Sequence, residues 1–178
     1  MPRDVDAEAP SPRLQAEMSV LALPAAETVI LAAARFWVGA LRARAAPARN
    51  WPSVLVAAGV DGEAIGAFHA FMLRLAADAT RSLDVRCANC PSLSPDEAML
   101  IDVVGALQDG QRWYATLRCA DILPAAALVP AVAALGRLGR SLDAAGLRVG
   151  REPLTPVAAP APPVHRCVDE DAPQPTIH

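Results

Sequence analysis

The chain contains no lysine: all 16 of its basic residues are arginine, and asparagine occurs only at Asn50 and Asn89. Schiff-base chemistry and a phosphate loop that ends in lysine are therefore excluded. Alanine fills 39 of the 178 positions, and this bias with lysine-free basicity points to GC-rich bacterial coding. The arginines then carry no information about nucleic acid. A net charge of −3, with no basic block, also argues against a phosphate-tracking surface. A Gly-x-Ser-x-Gly elbow and a His-Glu-x-x-His helix are both absent, which removes the commonest hydrolytic signatures.

Long apolar runs are also missing. Ile122 to Gly136 is uncharged but falls short of the roughly twenty residues a bilayer span requires, and Pro124 and Pro130 interrupt it. Near the start, Asp4, Asp6 and Glu8 face only Arg3, the wrong charge for a secretory leader. The expectation is a cytoplasmic protein without a membrane span, with its four cysteines reduced or on metal. Seven prolines after Gly150 mark residues 151–178 as a disordered tail, and residues 1–23 read as a disordered extension. The ordered domain is expected over 24–150.

Within that domain the apolar period is helical. Ile30, Ala34, Trp37 and Leu41 step by three or four, with Glu27, Arg35, Arg42 and Arg49 on the other side. Asn50 with Pro52 starts a short helix that Gly59 stops, and Asp61 caps a third, carrying Phe68, His69 and Met72. Ser94 and Glu97 form a capping box for a fourth helix, which stops at Asp109 and Gly110. Pro124 opens a last helix in which Gly136 and Gly139 suggest close approach by a neighbour. Two segments read differently. Leu83, Val85 and Cys87 alternate with polar residues, and Trp113, Ala115, Leu117 and Cys119 alternate too, in residue types that favour pleated surface. The fold class is mainly α, a small helical bundle with room for one short two-stranded β ribbon pairing about 82–87 with 112–119.

Chemistry concentrates at Cys87-Ala-Asn-Cys90. Two residues between thiols let a tight turn aim both sulfurs at one ion, and tetrahedral zinc then needs two more ligands. His69 lies about 16 Å up the third helix, and six extended residues after Arg81 cover about 20 Å, so a returning strand reaches it. Cys119 reaches the turn only if 111–119 is extended. A His/Cys3 zinc site of His69, Cys87, Cys90 and Cys119 is the metal expectation, against a packing role for each residue.

The same sulfurs admit a thiol redox sensor. A thioredoxin-like enzyme is disfavoured, because Pro91 and the Ser94 cap move the helix start downstream of the first cysteine. An iron–sulfur cluster would need Cys167, in the tail. The arginine row Arg35, Arg42, Arg44 and Arg49 is the candidate protein-partner surface. The leading expectation is a non-enzymatic, partner-binding or regulatory helical protein in which Cys87 and Cys90 either hold a structural zinc or contribute reduced thiols. The alternatives are the thiol sensor and a small-molecule-binding bundle whose ligand sits between the Trp37 and His69 helices, against Phe68 and Met72.

Overall fold

A helix that is apolar on every side has to sit in the middle of a fold, and Pro95–Gln108 is such a helix. Residues Glu97 to Ala106 are all buried. The structure, a computed structural model, describes residues 19–42 and 50–150. It comprises α1 (Ala25–Arg42), α2 (Trp51–Ala57), α3 (Gly62–Asp78), α4 (Pro95–Gln108), α5 (Arg112–Ala120) and α6 (Ala125–Ala144). A 3-10 turn, Val20–Ala22, precedes α1. The central α4 packs against α5, α6 and α1; α3 lies along α6, and α2 lies along α1. This is a six-helix bundle.

Local chemistry sets the helix ends. Asp61 accepts the Ala64 amide at 2.8 Å, and the Ser141 hydroxyl of α6 donates to its second oxygen at 2.6 Å. One carboxylate thus caps α3 and ties it to α6, and the Ser141 and Ala64 bonds hold it below the usual carboxylate range. The Ser94/Glu97 box forms as the sequence indicates. Asn50 occupies the N-cap of α2 without a side-chain cap bond, and Pro52 alone marks that start. Gly59 and Gly146 take positive φ, 80° and 79°, and stop α2 and α6. At Gly139 an added Cβ would lie 3.4 Å from Gln108 Cγ and 3.5 Å from the Val104 carbonyl, so this glycine lets α6 approach α4. Gly136 faces only Arg140 of its own helix.

The core includes Ile30, Leu55, Phe68, Ile101, Leu135, Leu138 and Leu142, all fully buried. Each such side chain contributes roughly 1.5–3 kcal/mol relative to exposure. The α6 helix is twenty residues long and apolar enough, by length and composition, to cross a bilayer. It buries one flank, Ala127, Ala131, Leu135, Leu138 and Leu142, in this core, and Pro130 sits on the exposed side.

The expected ribbon does not form. Among the described residues there is no β-strand, only an isolated antiparallel bridge between Ser19 and Ser92. Residues 112–120 are helical because Ala115 and Cys119, four apart, both turn inward; Trp113 and Leu117, also four apart, face solvent. Tertiary burial of the two small side chains outweighs the strand preference of Trp, Tyr and Thr. Residues 82–87 are extended without a partner strand. The expected disordered extensions, residues 1–18 and 151–178, lie outside the described residues, whereas 19–23 form the 3-10 turn and its flanks.

Candidate functional site

Residues 79–94 connect α3 to α4 without regular structure, far beyond the usual connection of about 4–6 residues. Their conformation is fixed by side chains that act as surrogate backbone partners. Arg35 of α1, 3% exposed, and Glu97 of α4, 2% exposed, form a bidentate pair, Nε to Oε1 and Nη2 to Oε2, both at 2.8 Å. Neither stops there. Arg35 Nη1 donates to the Cys90 carbonyl at 2.7 Å and Nη2 to the Ser92 carbonyl at 2.8 Å. Glu97 accepts the Arg86 amide at 2.9 Å and the Ser94 amide at 2.9 Å. Each carboxylate oxygen therefore has two donors, the condition under which a buried ion pair is tolerated.

A second carboxylate extends the pattern. Asp96 takes both Nη atoms of Arg81 and the Asp84 amide, the latter at 2.7 Å. Burial opposes its ionisation, but the Arg81 and Asp84 bonds outweigh burial and hold it below the ordinary carboxylate range. The Ser94 hydroxyl bonds the Asp84 carbonyl, the Arg86 guanidinium bonds the Ser92 hydroxyl, and Val20 donates its amide to the Pro91 carbonyl at 2.8 Å. The alternation seen in the sequence holds in burial through Val85, since Leu83 and Val85 are half-buried and Ser82 and Asp84 exposed, but it reverses after that, with Arg86 half-buried and Cys87 exposed. Carboxylates, however, replace the neighbouring strand.

At the tip of this braced loop Cys87 and Cys90 are joined as a disulfide, with Cα atoms 5.4 Å apart. The Cys90 amide donates to the Cys87 carbonyl at 3.1 Å, closing a turn over Ala88 and Asn89. Cys87 is exposed and Cys90 half-buried. A disulfide with one accessible sulfur undergoes exchange with an incoming thiolate. The guanidinium that binds the Cys90 carbonyl has its charge matched by Glu97, so it anchors the Cys90 backbone rather than charging the sulfur.

The other expected zinc ligands lie elsewhere. His69 is on α3, where Nδ1 accepts the Trp37 indole N–H at 2.8 Å and the ring stacks on Trp51 with centroids 5.4 Å apart. An Nδ1 that accepts leaves Nε2 to carry the proton, the tautomer assigned by this hydrogen bond. Cys119 is buried in α5, in a helix too short in reach to return to the loop, and burial pushes its thiol up to about 11. The structure brings together only two of the four, and among the described residues no three His, Cys, Asp or Glu side chains gather as a metal site. His165 and Cys167 lie outside the described residues.

The arginine row divides in the same way. Arg35 and Glu27, assigned by period to a solvated face, are both buried. Glu27 accepts the Gly150 amide at 2.7 Å, fastening the end of the described chain to the first turn of α1. Arg42 is exposed, and Arg44 and Arg49 lie outside the described residues. The sequence carried one signal for Arg35: Leu31, one turn before it and outside the Ile30 to Leu41 stripe, is apolar, so the apolar face is wider than that stripe.

Between α1 and α3, which meet at the Trp37–His69 bond, lies a groove of about 570 Å³ that includes Trp37 and Met72 in its lining. Phe68 is absent from that lining and is fully buried. The chain matches no protein-family model, no curated protein and no solved structure.

Proposed function

We propose that the protein is a thiol-based redox sensor whose switching element is the Cys87–Cys90 pair. The observation that carries this reading is an accessible disulfide at the tip of a loop whose fold rests on other bonds. In the exchange, a thiolate of a cellular dithiol attacks Cys87 Sγ, and the Cys90 sulfur leaves with the bonding electrons and takes a proton. The second thiol of the donor then displaces Cys87 from the mixed disulfide. The protein gains two hydrogens and the donor becomes a disulfide. Reduction frees the turn over Ala88 and Asn89 while Arg35 and Glu97 keep its shoulders in place. A partner protein that reads the loop would meet two surfaces from one fold.

The test is differential alkylation with mass spectrometry on the full chain across a glutathione redox series. Cys87 and Cys90 are expected to become reactive together as the series turns reducing, with Cys119 inert throughout. Alkylation of both in the fully oxidised native protein would sink the reading. Stoichiometric zinc in the reduced protein, lost in Cys87→Ser, would replace it with a structural metal site.

A further inference from the structure

We propose, independently of the redox reading, that the groove between α1 and α3 is a binding site for a small amphiphilic carboxylic acid. The two helices touch through Trp37 and His69 but are not packed side by side. Where α3 continues past that contact it presents Ala76, and Ala79 follows at its C-cap, side chains too short to close the gap. The wedge is completed on the far side by Leu83 and Val85 of the braced loop. Trp37 and Met72, 4% and 2% exposed, are buried lining residues, and Leu41 is 56% exposed. About 570 Å³ lies within the range that encloses a small organic ligand.

Charge selects the class of ligand. The lining residues include two ionisable side chains, Arg42 and Arg81, and no acid. Arg81 is already matched to Asp96, and the nearby Asp78 and Asp84 are engaged by Arg74 and Arg86. Among the described residues Arg42 pairs with no carboxylate, although it lines a groove of mixed surface in which Val38, Leu41 and Leu75 supply apolar contacts beside Arg81 and Ser82. An apolar body on Val38, Leu41 and Ala76, over the buried Trp37 and Met72, with a carboxylate at Arg42 satisfies both features. A neutral alcohol satisfies one, and an alkylammonium is repelled.

Titration with octanoate, octanol and octylammonium tests this, read by calorimetry and by the methyl resonances of methionine. Octanoate is expected to bind saturably, one per chain, and to shift Met72 while leaving Met99 in place, with octanol about tenfold weaker, the scale of one charge-assisted hydrogen bond. Arg42→Gln is expected to bring octanoate down to the level of octanol. Ala76→Trp, at an exposed position, should fill the trough and abolish both without loss of fold. Equal affinity for octanoate and octanol, indifference to Arg42→Gln, or shifts centred on Met99 would each overturn the proposal, as would absence of saturable binding.

Discussion

The α4–α6 core and the loop 79–94 are both well defined, yet they are held by opposite means. In the core, the stabilisation is spread over many apolar side chains, each in contact with several others. In the loop, two buried charged side chains organise four backbone groups: the Cys90 and Ser92 carbonyls and the Arg86 and Ser94 amides. Apolar packing degrades gradually under substitution, whereas a polar hub fails at once, because every group it served becomes unpaired. The Cys87–Cys90 pair sits on the part of the molecule that is built this second way.

The sharpest way to break the contrast is to remove one partner of the hub. Arg35→Met leaves Glu97 buried without its counter-charge, and a loss of roughly 3–5 kcal/mol is expected. Chemical denaturation gives the magnitude, and limited proteolysis gives the place. Cutting between 80 and 92 at temperatures where helical circular dichroism is intact would fit the hub picture; cutting spread evenly over the helices would count against it. Leu138→Ala, fully buried in α6, is the matching core lesion. It is expected to cost roughly 2–5 kcal/mol by lowering the midpoint of the whole bundle, with the loop no more sensitive to protease than before.

A pH titration sharpens the comparison on the core side. The Cys119 thiol is raised in the folded protein from 9.0 to about 11. As pH climbs past 9 the unfolded chain loses this proton first, so stability falls, and the decline levels off above about 11. The expected total is roughly 2–3 kcal/mol. Subtracting the profile of Cys119→Ala from that of the natural chain isolates it; a flat difference between pH 8 and 11 would mean that this sulfur is not in the interior.

Much of the helical plan was legible because it follows from short-range rules. The Ser94/Glu97 box, the Asp61 cap, the Gly59 and Gly146 stops and the stripes of α1 and α3 all act within one or two turns of chain. What was not legible depends on partners far away in sequence. Arg35 and Glu97 stand 62 residues apart; on its own Arg35 reads as a surface charge and Glu97 only as a capping residue of its own helix. At 112–120 local propensity argued for strand, and only the inward match of Ala115 and Cys119 with α4 and α6 decides for helix. That error removed Cys119 from the expected zinc set, since it had reach only as a strand, while His69 is separately engaged by Trp37 and Trp51. The Cys87/Cys90 turn was visible in the spacing itself, but its bracing was not.

The Ser19–Ser92 bridge and the Val20 bond to Pro91 have a mechanical consequence. Tension applied at the beginning of the described chain would load that latch before it loads any helix, and the latch grips the residue beside Cys90. A tug on this end is thus passed to the backbone next to Cys90 ahead of the bundle itself.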